Sequence, residues 1–329
     1  MTGVQGDEAL AEKLVERMGA QHPVFAVAAL SPRRTTVASV GASLDADFEI
    51  GSVSKGITGL LYADALERGH IGPTTTLGDL LPLGTGPAAR VTLSSISTHR
   101  SGLPSLPSSA GVLRRTLALW LKGANPYGDT LDQLIAQAQG VRLKGTRPRY
   151  SNFGFELLGH ALAAAASTTF GDLLRDRVAT PLGLDTFYAP ATPDELRPGA
   201  LTGRSKSGRG REPWTGEALA PAGGIRSTIQ DMARLTAALL DGSAPGVGAL
   251  DPVADYTGRV VRIGAAWITL DRNRRLITWH NGGTGGFRTW LGLDRAAGTA
   301  VVLLSATAVS VDQHGFTLLA QLTEDEGTS

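Results

Sequence analysis

A hydroxyl and an amine three residues apart, Ser52 and Lys55, stand where an extended run gives way to a helix. Upstream, Asp47-Phe48-Glu49-Ile50-Gly51 alternates and ends in glycine, as a short strand closing in a turn does. Downstream, Val53, Ile57, Leu60, Leu61 and Leu66 recur at helical spacing as far as Gly69. Ser52 is therefore a natural helix start, with Lys55 on the same face one turn later. Free backbone N–H groups and the positive end of the helix dipole lie beneath both. A weak nucleophile, a candidate base and a stabiliser of developing negative charge share one place.

Two other stretches carry comparable chemistry. Tyr150-Ser151-Asn152 follows Pro148 and opens a helix, and His280-Asn281-Gly282-Gly283-Thr284-Gly285-Gly286-Phe287 stands at the end of a strand. Each has an ordinary explanation when taken alone. A Ser-x-x-Lys pattern recurs by chance, a tyrosine before a helix can be buried with a structural hydrogen bond, and glycines build turns. The same glycines also let a substrate backbone lie close to the chain.

The elements that must position these groups follow from periodicity. Residues 24–30 and 35–40 form two apolar runs around Ser31-Pro32-Arg33-Arg34, a hairpin. The start of the chain is polar and then an amphipathic helix carrying Leu10, Leu14, Val15 and Met18. Between about 71 and 190 the texture is helical with Pro and Gly punctuation, with helices expected over 112–121, 131–139, 155–166 and 170–178. An irregular exposed loop is expected over 197–214, and a helix over 228–240 capped by Ser227 or Thr228. Strands return at 260–270, 276–280, 289–293 and 299–305, closely enough spaced for an antiparallel meander, before a closing helix at 311–322. The expected fold is α/β (α+β): an antiparallel sheet built from the N- and C-terminal segments, flanked by helices, with an inserted mainly α-helical subdomain. The sheet-bearing part takes 1–70 and 220–329, and the helical part 71–219.

Composition narrows the function classes. The 329 residues are 42% hydrophobic and 19% charged with a net charge of +1, which points to neither nucleic acid nor an anionic membrane surface. The absence of cysteine removes a thiolate nucleophile and a Cys-based metal site. No histidine pair has metal-ligand spacing, so no metal and no cofactor are expected. His99 is read as ordering its loop, His160 as lying within a helix, and His22, His70 and His314 as peripheral. No apolar stretch is long enough to span a bilayer, and the first residues have no signal-peptide pattern. As given, the chain reads as soluble and cytoplasmic; an exported protein whose signal has been removed would read the same. Its partner is expected to be a small-molecule or short-peptide substrate, and nothing in the sequence fixes the oligomeric state.

In order and spacing, the three motifs resemble the serine β-lactamase and penicillin-binding-protein superfamily, most closely its class C branch. That branch also holds D,D-peptidases, D-amino-acid peptidases and esterases. The likeness extends to Thr98-His99-Arg100-Ser101-Gly102-Leu103-Pro104, to Tyr150 through Gly159, to Pro181-Leu182-Gly183-Leu184 and to Pro221-Ala222-Gly223-Gly224-Ile225. It implies one domain over 1–329 and a hydrolase working through an acyl-enzyme on Ser52. By the same resemblance, Lys55 and Tyr150 would move the proton, with the base left open between them. Asn152 would hydrogen-bond the pair and the substrate, the N–H groups of Ser52 and Gly283 would form the oxyanion hole beside Gly282, and His280 would face the cleft. Where many β-lactamases carry lysine, His280 is largely neutral near pH 7. Peptidase or esterase activity is therefore favoured over efficient β-lactamase activity. Arg288 is able to supply the missing charge, although it reads more simply as a surface residue. The competing function is a penicillin-recognising sensor that acylates without efficient turnover.

Overall fold

Strands from the two ends of the chain meet in the middle of one sheet. A computed structural model describes residues 3–106, 123–145, 147–258, 260–272 and 274–327, so the helix expected over 112–121 lies outside the described residues. The strands are β1 Val4–Gly6, β2 Phe25–Leu30, β3 Thr35–Val40, β4 Phe48–Glu49, β5 Arg226–Ser227, β6 Ala254–Thr257, β7 Val261–Ile263, β8 Ile268–Arg272, β9 Arg275–Gly283, β10 Arg288–Asp294 and β11 Thr299–Ser305. Nine of them form an antiparallel sheet in the order β1-β3-β2-β11-β10-β9-β8-β7-β6. The two termini join where β2 pairs with β11, Leu30 opposite Ala300 and Phe25 opposite Ser305.

All six residues of β2 are buried because helices cover both faces of the sheet. Side chains alternate across a strand. Phe25 and Val27 therefore join Trp290, Val301 and Leu303 in a core under helices α1 (Glu8–Met18) and α10 (Asp312–Gly327). Ala26, Ala28 and Leu30 join Leu291, Val302 and Leu304 in the larger core on the other face. That core also holds α2 (Val53–Glu67). Further on come α3 (Leu93–Ser97), α4 (Leu131–Gln139), α5 (Asn152–Ala165), α6 (Phe170–Leu174), α7 (Thr180–Leu182), α8 (Ala220–Gly223) and α9 (Ile229–Asp241). Between α6 and α7 the helix widens into a π turn over Arg175–Ala179. Thr228 caps α9, accepting a hydrogen bond from Asp231 N. Among the described residues no helix is long and apolar enough to cross a membrane.

Four expectations need correction. The run 260–270 is two strands, β7 and β8, reversed through a turn in which Gly264 N donates to Trp267 O at 2.8 Å. The turn is apolar because it packs on α2: Trp267 Nε1 donates to Gly56 O at 3.1 Å. A Cβ on Gly56 would lie 2.8 Å from Trp267, and one on Gly59 would lie 2.1 Å from Ala265 O, so both positions need glycine. The two short strands β1 and β6, half-exposed and polar, carry no strong period and were not expected. The stretch 197–214 is irregular, but its Gly203 and Ser205 are buried, with Arg204 N donating to Gly286 O at 3.1 Å. His22 is buried rather than peripheral, its Nδ1 lying 2.8 Å from Ser305 Oγ.

The extended run before Ser52 is held by a buried ionic network. β4 and β5 form a separate two-stranded sheet with Glu49 opposite Arg226. Arg226 is fully buried and bonds Asp47 Oδ1 at 2.6 Å and Glu49 Oε1 at 3.0 Å. It also donates to Leu201 O at 3.0 Å, while Tyr188 Oη donates to Asp47 Oδ2 at 2.5 Å. Burial pushes the Glu49 carboxyl up against the pull of Arg226. Removing the guanidinium leaves two acids without their cation in the interior. Arg226→Met is expected to cost roughly 3–5 kcal/mol of stability in urea unfolding. A loss below about 1 kcal/mol would show that the network does not hold this segment.

Candidate active site

Each motif reaches the same open cleft or the wall behind it. Ser52 precedes α2 with helical angles, φ −65° and ψ −8°, and its side chain caps no backbone N–H. The hydroxyl is left for other work. Lys55 Nζ lies 3.1 Å from Ser52 Oγ and 2.5 Å from Ala222 O, with the Tyr150 ring 4.8 Å from the ammonium position. Lys55 is 0% exposed. Burial, the dominant cause, lowers its pKa to about 7, against an upward pull from Glu156. A large share of the amine is therefore free of its proton near neutral pH.

Tyr150 is carried on a buttress supplied by the stretch 98–104. His99 sits in left-handed backbone, φ 56°, and its ring packs 4.7 Å from that of Tyr150. Its Nδ1 accepts from Ser151 N at 3.3 Å, and its carbonyl accepts from Arg149 N at 2.8 Å. Ser151 caps α5 by accepting from Gly154 N and donates to Pro104 O at 2.6 Å. His99 thus ties its loop to the segment that carries Tyr150. Tyr150 keeps 37% of its surface open to the cleft. Desolvation pushes its phenol up to about 12, partly offset by a hydrogen bond with Ser52.

The glycine turn is laid backbone to backbone against the start of α2. A Cβ on Gly282 would lie 2.0 Å from Ile50 O and 3.1 Å from Ser52 N. Gly51, at φ 53°, has equally little room: its Cβ would lie 2.6 Å from Gly283 N. The cleft, about 420 Å³, is lined by Ser52, Tyr150, Trp214, Gly283, Arg288 and Asp312 among others. Arg288 is half-buried on the cleft wall rather than loose on the outer surface. Its Nη1 donates to Thr284 O and Phe287 O, both at 2.8 Å, and the guanidinium packs on Gly283. Asp312 is tied to Asn281 Nδ2 at 2.8 Å.

Two residues lie differently from what the resemblance implies. Asn152 Nδ2 donates to Tyr127 Oη at 2.9 Å, and its Oδ1 has no hydrogen-bond partner among the described residues. It does not bond Ser52 or Lys55 here. His280 is 3% exposed, so it lies behind the cleft wall rather than on it. Its Nδ1 carries the proton, since it donates to Asn281 O at 2.6 Å, and burial first of all lowers its pKa to about 4. Sequence reasoning missed Tyr127, Trp214, Asp312 and Glu156. Only Glu156 left a visible signal, a lone carboxylate within a mostly apolar helix.

This architecture recurs among solved structures. A class C β-lactamase from Rhodobacter sphaeroides superposes with a TM-score of 0.77 over 98% of this chain and 99% of that one, at 20% identity. A β-lactamase/D-alanine carboxypeptidase from Pseudomonas syringae gives 0.78 over 97% of each chain, at 17% identity. In sequence, the chain is 30% identical over 206 residues to the D-alanyl-D-alanine-carboxypeptidase/endopeptidase AmpH of Escherichia coli K12, covering 60% of this chain and 49% of that protein. It is 27% identical over 263 residues to an unguisins hydrolase of Aspergillus campestris, covering 70% and 45%. The chain thus spans about half the length of these two relatives. The family profile described as Beta-lactamase matches residues 10–323. With nearly its whole length so matched, this chain belongs to the Beta-lactamase family.

Proposed function

We propose that the protein is a serine hydrolase that cleaves an amide or ester through an acyl-enzyme on Ser52. The observation that carries this reading is the buried Lys55 amine 3.1 Å from the Ser52 hydroxyl. Lys55, near 7, takes the serine proton as Oγ attacks the carbonyl; Tyr150, near 12, is a poor base and a suitable relay. The tetrahedral oxyanion forms beside the N–H groups of Ser52 and Gly283, donors worth roughly 3 kcal/mol each in such reactions. The proton passes by way of Tyr150 to the leaving amine or alcohol, and water then cleaves the ester by the reverse route.

Within that class, D-amino-acid peptides and small esters rank above β-lactams, because the enclosed neutral His280 offers no charge to a substrate carboxylate. Arg288 supplies a cation on the cleft wall in its place. Arg288→Gln is therefore expected to lower kcat/KM about 10- to 100-fold on substrates bearing a carboxylate, the size of a charge-assisted hydrogen bond. Their neutral methyl esters should be almost unaffected. Equal losses on both would remove Arg288 from recognition.

Intact-mass spectrometry with p-nitrophenyl esters, D-alanyl peptides and penicillins tests the whole reading. An acyl adduct that forms and clears with sustained turnover is expected from at least one class. One equivalent of adduct with no steady state would favour a sensor, and no adduct or turnover from any class would overturn the hydrolase reading.

A further inference from the structure

Two opposite charges stand on the wall of the Ser52 cleft without pairing. Among the described residues that line it, Arg288 and Asp312 are the two that carry a formal charge, and both are half-buried. Strand register brings them together. Gly283 lies opposite Arg288 and Asn281 opposite Trp290, so residues 281, 283 and 288 share one face of the β9–β10 ladder. Positions 281 and 288 are diagonal neighbours, about 7–8 Å apart in such a ladder. Asp312, the first residue of α10, accepts from Asn281 Nδ2 at 2.8 Å. Its carboxylate therefore stands beside the guanidinium, yet the two form no ion pair. Each is held where it is by other groups: Arg288 by Thr284 O and Phe287 O, Asp312 by the Asn281 amide and the Ser310 hydroxyl. Burial pushes the Asp312 carboxyl up, and those two hydrogen bonds and the Arg288 charge pull it back.

We propose that this pair recognises a free α-amino-acid head group on the substrate, its carboxylate against Arg288 and its ammonium against Asp312, which makes Asp312 a specificity-determining residue. The inference deepens the hydrolase reading and rests on acylation of Ser52. A substrate with a carboxylate alone is attracted by Arg288 and repelled by Asp312, and one with an ammonium alone meets the reverse. A group that carries both signs on one carbon is attracted by both, and its own charges are as close together as those of the wall. Because both side chains are fixed before binding, little ordering is left to oppose the contact. The glycine turn keeps this head group near the reacting carbonyl, since the guanidinium packs on Gly283 and a Cβ on the neighbouring Gly282 would lie 3.1 Å from Ser52 N.

The test compares p-nitroanilides on the full chain. γ-Glutamyl and δ-(α-aminoadipyl) p-nitroanilide carry the head group at two spacings from the cleaved carbonyl, each tried in both enantiomers. Glutaryl p-nitroanilide lacks the ammonium, and 4-aminobutyryl p-nitroanilide lacks the carboxylate. In each, the carbonyl–nitrogen bond breaks as the ester to Ser52 Oγ forms, the serine proton leaves with p-nitroaniline, and water then frees the acid. At one spacing the head group is expected to raise kcat/KM about 10- to 100-fold over both analogues, mainly through KM. Asp312→Asn should erase the advantage over the glutaryl compound, and Arg288→Gln the advantage over the 4-aminobutyryl compound. The wild-type comparison and the Arg288 variant carry the test if Asp312→Asn fails to fold. Equal kcat/KM on all the anilides, or equal losses in Asp312→Asn on the head-group and glutaryl substrates, would overturn the proposal. So would labelling of wild-type Ser52 by a fluorophosphonate with no turnover of any anilide. No labelling of Ser52 at all would overturn the hydrolase reading instead, a distinct result.

Discussion

Ser52→Ala is expected to abolish covalent labelling by a fluorophosphonate or a β-lactam while leaving the fold intact. The backbone at 52 is already helical, an angle pair alanine adopts freely, and the serine side chain caps no N–H whose loss would loosen α2. The hydroxyl's contacts are with Lys55 and Tyr150, both part of the proposed chemistry. Loss of the nucleophile should therefore cost on the order of 10⁶ in kcat, as in other serine hydrolases, with little change in melting temperature. Undiminished labelling at any serine in this variant would place the nucleophile elsewhere.

Lys55→Arg is the second large effect. Arginine keeps the positive charge and cannot release its proton in this pH range, so it removes the base while preserving the electrostatic sign. A loss of roughly 10²- to 10⁴-fold in kcat is expected from the missing proton transfer alone. The wider guanidinium must also fit the space now filled by an amine between Ser52 Oγ and Ala222 O. Lys55→Met separates the two causes, since it fills a similar volume without charge. Acylation rates measured across pH should be low in both variants, with circular dichroism confirming the fold. Near-normal turnover in the arginine variant would remove Lys55 as the proton acceptor.

What the sequence reveals about this fold depends on how local the cause is. Residues 35–40, 131–139 and 299–305 have the bounds their patterns suggest, because alternation, a capping box at Thr130 and helical periodicity act within a few residues. The start of α2 is legible for the same reason. The bonds from Arg226 to Asp47 and Glu49 are not, since they join positions 179 and 177 residues apart. Arg288 looks like a surface residue until the turn at 284–287 folds its guanidinium back onto Gly283. In the same way, the apolar run Gly264 to Trp267 reads as strand until the surface of α2 is there to receive it. Among the site residues, those at a helix start or strand end were visible. Tyr127, which bears on the site only through its hydrogen bond to Asn152, was not.

The seam between β2 and β11 has a consequence for how the molecule is made. Phe25 through Leu30 pair with Ser305 through Ala300, so the middle of the sheet stays open on a nascent chain until the distant β11 has been made. Pairings of such long sequence separation close slowly. The glycine turn that lines the cleft beside Ser52 lies between β9 and β10, in that same distant part of the chain. A nascent chain therefore carries Ser52 and Lys55 with no wall opposite them until that stretch has been made.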